Sequence, residues 1–128
     1  MSSTTFDNIS SGAIPTRMIP VVAELQPAGF IEIPTEMAEE QGIANLDWVV
    51  VSTARGSIEA RALVTRRLRP FKVDGRMIFQ VGMPWHFGWQ GYATGEIVNT
   101  LTPIVGDPNT TIHEGKAFTC NVRKGRLK

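Results

Sequence analysis

Residues 48–65 read WVVVSTARGSIEARALVT, and the fold turns on reading them as two paired strands. Trp48 to Ser52 is dominated by β-branched side chains, which fit a pleated, half-buried surface. Ala54-Arg55-Gly56 supplies a tight turn. From Ser57 to Thr65 the side chains alternate: Ile58, Ala60, Ala62 and Val64 fall on one face, and Ser57, Glu59, Arg61, Leu63 and Thr65 on the other. A period of two marks a strand with one buried face, paired with its predecessor.

Working outward on the N-terminal side, Asn45-Leu46-Asp47 turns the chain into Trp48, and Phe30-Ile31-Glu32-Ile33 predicts a short strand closed by Pro34. Thr35 is placed as the N-cap of a short helix, Glu36 to Gln41, with Met37 and Ala38 facing inward and Gly42 as a left-handed C-cap. Residues 1–13 are Ser/Thr-rich and read as an extended or mobile lead-in to the apolar Val21, Val22 and Leu25. On the C-terminal side, Met77 to Val81 predicts another strand and Ala117 to Val122 a closing one, with Cys120 buried and inert in its middle. Arg123 to Lys128 reads as a basic tail with no reason to be ordered. Short strands, one capped helix and long irregular connections point to an all-β barrel or a mixed β architecture.

At 128 residues the chain suits one domain. A net charge of +1 supplies no global attraction to nucleic acid or an anionic membrane. The single cysteine excludes an internal disulfide. No apolar run approaches the roughly 18 residues that span a bilayer, and MSSTTFDNISSG has no basic-then-apolar signal pattern. Arg66, Arg67, Arg69, Lys72 and Arg76 form a local basic patch. With Phe71 as its sole aromatic, that patch reads as a solvated surface rather than a nucleic-acid platform.

Gly82 to Lys116 is the stretch with the character of a ligand surface. It concentrates glycines, prolines, amides and two of the three tryptophans without helical or strand periodicity. Long irregular segments of compact domains are usually functional or disordered, and Trp85, Phe87, Trp89 and Tyr92 argue for order. Within it, His86 lies between aromatics and Gly88 permits close backbone approach. Asn99, followed by Thr100 and Thr102, carries an amide able to donate and accept at a heterocycle edge. Asp107-Pro108-Asn109 reads as a turn, with Asp107 as its Asx-type cap. Lys116, and Arg17 upstream, could meet phosphate. The two histidines, His86 and His113, are not spaced as zinc ligands, and there is no nucleophile elbow and no P-loop. Catalysis by this chain alone is not expected.

The combination MPWHFGW, then NTLTPIVGDPNT, then a lysine before a closing strand, preceded by GI-N-x-D-x-V-x-V-S-x-x-RG-x-I, resembles the C-terminal domain of the molybdopterin oxidoreductase superfamily, specifically the alpha subunit of molybdenum or tungsten formate dehydrogenases. SGAIPTR resembles the segment that opens that domain. The resemblance covers about residues 10–124. It implies a mainly β fold, a six-stranded double-ψ β-barrel with one or two short helices, preceded by a flexible lead-in at 1–9 and followed by a tail at 125–128. It further implies a share in binding bis-(molybdopterin guanine dinucleotide), held jointly with a catalytic subunit or domain outside this chain. Gly12, Thr16 and Arg17 would approach the cofactor from the entry segment. Trp85, His86 and Gly88 would form the loop beside the pterin, Asn99 its facing amide, and Lys116 the basic residue before the last strand.

Two departures stand out: Leu46 replaces a turn glycine, and Gly115 replaces an aromatic residue. The family's metal ligand, iron–sulfur cysteines and catalytic histidine and arginine have no counterparts here, so neither Cys120 nor His86 is assigned such a role. The implied partners are the remainder of the alpha subunit and an iron–sulfur subunit, with no nucleic acid and no membrane insertion. The alternative is a stand-alone β-barrel interaction module without cofactor. Compartment, metal and substrate are not legible in these residues.

Overall fold

The structure is a computed structural model, and it describes residues 3–5, 19–25, 27–84, 87–88, 94–113, 115 and 117–128. Its elements in order are β1 (Ser3–Thr5), α1 (Pro20–Leu25), β2 (Phe30–Pro34), α2 (Thr35–Gln41), β3 (Trp48–Ser52), β4 (Ser57–Thr65), β5 (Phe71–Val73), β6 (Arg76–Ile78), β7 (Val81–Met83), a 3-10 turn (Val98–Thr100), β8 (Ala117–Phe118) and β9 (Asn121–Lys124). The protein is mainly β, as expected. Seven strands form one mixed sheet in the order β8-β1-β7-β2-β4-β3-β9, and β5 and β6 form a separate hairpin. The pairs β1–β7 and β2–β4 are parallel, and the others in the sheet are antiparallel.

The edges of that sheet show its shape. β8 and β9 lie at opposite ends of the strand order, yet only Thr119 and Cys120 separate them in the chain. Six strand spacings of a flat sheet would hold them about 29 Å apart. Three residue steps span at most about 11 Å. The sheet is therefore curled until its edges nearly meet, a barrel-like closure made by one broken strand that runs along both edges.

The core fills this curl. Ile31, Ile33, Val49, Val51, Ile58, Ala60, Ala62, Val81 and Met83 are buried from the strands, joined by Met37 and Ala38 of α2, by Val98 and Leu101, and by Cys120 and Val122. The alternation predicted for residues 57–65 holds at Ile58, Ala60 and Ala62, and β3 pairs antiparallel with β4 as expected. Gly42 closes α2 at φ 63°, ψ 35°, returning its N–H to Glu39 O, as the sequence indicated.

Several expectations are corrected. Thr35 lies inside α2 rather than capping it; Pro34 holds the cap position, and no side-chain cap bond forms. The Met77–Val81 strand is two elements: β6 pairs back on β5 across the turn at Asp74 and Gly75, at φ 49° and 78°, and β7 starts only at Val81. Only after Phe79 and Gln80 does the chain enter the main sheet as β7. The closing strand likewise breaks at Thr119-Cys120 into β8 and β9, so Cys120 is buried between strands rather than within one. The C-terminal residues are anchored. Lys124 Nζ meets Asp47 at 2.8 Å, Arg126 meets Glu59 at 2.9 Å, the Leu127 N–H donates to Glu59, and the Arg126 guanidinium lies 4.3 Å over the Trp48 ring. Arg61 stacks on Trp48 as well, at 4.1 Å, so cation–π contacts hold the end of the chain against the outer face of β3. Ser3–Thr5, within the segment expected as a lead-in, pair with β7 and β8. Among the described residues no helix is long and apolar enough to cross a membrane.

Candidate functional site

Gly88 and Asn99 are the expected site residues that fall among those described; Gly12, Thr16, Arg17, Trp85, His86 and Lys116 lie outside them. The loop's first anchor is Phe87, 3% exposed, whose ring meets Phe30 edge-on at 6.4 Å. Gly88 follows at φ 76°, a conformation that strains any residue with a Cβ. A Cβ there would also sit 2.6 Å from the Gly95 carbonyl oxygen. Gly95 packs in turn on Gly29, whose N–H donates to Thr94 O at 2.7 Å. Three glycines thus let the return of the loop lie directly on the approach to β2. The close approach expected of Gly88 is to the protein's own backbone.

The second anchor is the 3-10 turn. Val98 and Leu101 point into the core at 4% and 1% exposure, which leaves Asn99 between them facing solvent. The β3–β4 turn fixes this element from outside. Thr53 Oγ1 donates to Leu101 O at 2.9 Å, and Gly56 lies so close to Thr100 that a Cβ would fall 2.9 Å from its methyl group. The Thr102 N–H closes the turn on Asn99 O at 3.3 Å. The Asn99 side-chain amide makes no hydrogen bond among the described residues.

Thr102 is the unexpected feature of this turn. Its side chain is buried and its hydroxyl has no hydrogen-bond partner among the described residues. Buried polar groups are overwhelmingly paired, so an orphan of this kind calls for an explanation. Beside it, Gly115 is buried so tightly that a Cβ would meet Thr102 Cγ2 at 3.0 Å and His113 Nε2 at 2.8 Å. An aromatic side chain, as the resemblance led one to expect at 115, has no room in this arrangement. The sequence pointed to Asn99 and mentioned Thr102 only as its neighbour. The signal that could have singled Thr102 out is its place between a core leucine and Pro103.

Beyond the turn, Gly106 bridges His113 and the Asp107 N–H donates to Ile112 O at 2.8 Å. Asp107 Oδ1 accepts from the Asn109 and Thr110 N–H groups, both at 2.8 Å, confirming the Asx turn. These bonds, that of Thr110 first, hold the Asp107 carboxyl below the usual aspartate range. Among the described residues no cluster of three or more His, Cys, Asp or Glu could hold a metal. The arrangement offers hydrogen bonding from the exposed Asn99 amide, on a turn that also carries the orphaned Thr102 hydroxyl beneath the surface. That donor set fits the polar edge of a heterocycle, which needs donors and acceptors side by side.

Comparison with known proteins bears on which heterocycle. The family described as "Molydopterin dinucleotide binding domain" matches residues 3–119. The chain is 44% identical over 110 residues to formate dehydrogenase subunit alpha of Megalodesulfovibrio gigas, covering 85% of this chain and 11% of that one. It is 49% identical over 109 residues to formate dehydrogenase 2 subunit alpha (cytochrome c-553) of Nitratidesulfovibrio vulgaris, with the same coverages. With the formate dehydrogenase-O major subunit of Escherichia coli it shares 50% over 103 residues, 80% of this chain and 10% of that one. The chain thus spans about a tenth of the length of these relatives, each a much larger subunit. Among solved structures, acetylene hydratase from Pelobacter acetylenicus matches with a TM-score of 0.57 over 81% of this chain and 15% of that one, at 12% identity. At that identity it speaks to the fold alone. These matches favour the cofactor-binding reading and give no support to a stand-alone interaction module.

Proposed function

The chain belongs to the molydopterin dinucleotide binding domain family, and from that premise we propose that it binds part of bis-(molybdopterin guanine dinucleotide), carrying molybdenum or tungsten, within a formate dehydrogenase. It corresponds to a segment of the alpha subunit, and its further partner is an iron–sulfur subunit. The curled mixed sheet, with its two parallel pairs, is compatible with the double-ψ barrel that the resemblance implies.

The observation that carries the reading is the turn at 98–102, where the exposed Asn99 amide and the buried Thr102 hydroxyl have no hydrogen-bond partner among the described residues. Asn99 would read the pterin edge, with Thr102 beneath it. Gly88 would keep the loop's backbone close. Gly12, Thr16, Arg17, Trp85, His86 and Lys116 are proposed as further contacts, Arg17 and Lys116 offsetting phosphate charge. When bound, the cofactor and its metal supply the redox chemistry of formate oxidation; the protein contributes binding, orientation and electrostatics. The role of this chain's residues is to fix the heterocycle and exclude water from its polar edge.

The test is Asn99→Ala and His86→Ala in the assembled enzyme, with pterin content measured by fluorescence after oxidative release. Loss of one well-formed hydrogen bond, about 1.4 kcal/mol, corresponds to roughly tenfold weaker retention. Because Asn99 is exposed, the melting temperature of the isolated chain should not move. Unchanged pterin content in both variants would show that the cofactor assignment is wrong.

A further inference from the structure

We propose that the β5–β6 hairpin is a docking face for the catalytic remainder of the alpha subunit, meeting there an acidic surface with an apolar centre; this rests on the reading above. The hairpin stands outside the seven-stranded sheet. Two-stranded hairpins are marginally stable in water unless something packs against them. Its register is fixed at Phe71↔Ile78, Lys72↔Met77 and Val73↔Arg76. Directly paired residues share a face, so Phe71, Val73, Ile78 and Arg76 lie on one side and Lys72 and Met77 on the other. Phe71, Val73 and Met77 are 40%, 43% and 48% exposed. A groove of about 550 Å³ runs along Val73, Asp74, Arg76, Met77 and Ile78.

The charges of the hairpin and of the segment that leads into it are unbalanced. Arg67, Lys124 and Arg126 are paired with Glu32, Asp47 and Glu59. Arg66, Arg69, Lys72 and Arg76 have no ion-pair partner among the described residues. With Phe71, Val73 and Arg76 on one side, Met77 and Lys72 on the other and Asp74 at the turn, each side of the hairpin joins exposed apolar side chains to a cation without an ion-pair partner among the described residues, which complements an acidic rim around an apolar patch. The relatives supply the candidate: about nine-tenths of their length lies outside the matched segment. Continuity adds a reason for docking at this place. The hairpin leads through Phe79, packed on the core, into β7 and from there into the loop that begins after Met83. A second copy of this chain meeting the hairpin with its own hairpin presents the same cations and would repel. A nucleic acid would find Phe71 as the one aromatic of the hairpin.

The experiment compares hydrogen exchange at residues 71–78 in the isolated chain and in the assembled enzyme, with Lys72→Glu/Arg76→Glu as the variant. At least tenfold slower exchange in the assembly, abolished in the variant while the isolated variant melts as the parent does, supports the proposal. Equal rates in chain and assembly overturn it. Protection that grows with chain concentration, together with a dimer in sedimentation, overturns it in favour of a second copy. Salt-steep binding of an RNA oligomer, lost in the variant, overturns it in favour of nucleic acid. Pterin content of the same preparations separates the two readings. Pterin retained beside an unprotected hairpin refutes docking alone, whereas an assembly of the unaltered chain without pterin refutes the cofactor reading beneath it.

Discussion

Thr102 and Leu46 show how single residues depart from local rules for different reasons. A buried hydroxyl without a partner costs the folded chain about 1–3 kcal/mol. Thr102→Val keeps the shape and removes the unsatisfied group. The isolated chain should then melt higher, by about 3–5 °C for roughly 1 kcal/mol, while the assembled enzyme retains less pterin. A structural hydroxyl with no ligand would raise both stabilities together, so the opposed signs are the signature to measure. Leu46 sits at φ 69°, the left-handed region that costs a residue with a Cβ roughly 1–2 kcal/mol. It is 62% exposed, so Leu46→Gly gives up little burial. Its backbone bonds, to Ala62 O at 2.7 Å and from Arg61 at 2.9 Å, do not depend on the side chain. After the added freedom of glycine in the unfolded chain, about 0.5–1 kcal/mol, a net gain of about 0.5–1 kcal/mol is expected from urea titration. This departure was legible, since the resemblance places a turn glycine there. The Thr102 orphan was not, because it depends on neighbours brought together from across the chain.

At the scale of elements, periodicity located the strands and missed how they are divided. β3 and β4 begin and end where the sequence placed them, because the three valines of β3 are buried and β4 alternates from Ile58 through Ala62. The runs 77–81 and 117–122 are also apolar, yet each contributes to two different ladders. Hydrophobic pattern carries no record of which strand a residue pairs with. Asp74-Gly75 was a strong hairpin signal, obscured by the surrounding charge. The C-terminal anchor could not be foreseen either, since Arg126 finds Glu59 from 67 positions away.

That anchor predicts a pH response. The hydrogen bond from Arg126 and then that from the Leu127 N–H hold Glu59 below its ordinary 4.5, against burial, which raises it. The bond from Lys124 and then that from Ala44 N–H hold Asp47 below 3.8. A depressed carboxylate contributes stability that is fully present above its unfolded value and lost as pH falls through its folded one. Residues 124–127 should stay docked at neutral pH and be released on acidification below the ordinary carboxylate range, read as faster hydrogen exchange. In Glu59→Gln/Asp47→Asn that pH dependence should flatten, with exchange fast throughout.

At the scale of the whole molecule, the curled sheet makes the last ten residues do two separable things. Up to Lys124 the chain supplies β9, which pairs with the outer edge of β3 through Val49↔Lys124 to Ser52↔Asn121 and carries Cys120 and Val122 into the core. Beyond Lys124 it supplies the Arg126 contacts with Trp48 and Glu59 on the outer face. A stop after Lys124 therefore removes exposed cation–π and ion-pair contacts, which are individually worth about 1 kcal/mol or less. Its melt should remain a single transition, lowered by a few degrees. A stop after Phe118 instead bares the β3 edge and deletes two buried core residues, and it severs the connection that holds the two edges of the sheet together. That variant should lose cooperative unfolding and bind a hydrophobic dye. If it melted as sharply as the full chain, β9 would be an appendage rather than the closing strand, and the curled architecture inferred from the Phe118–Asn121 connection would have to be abandoned.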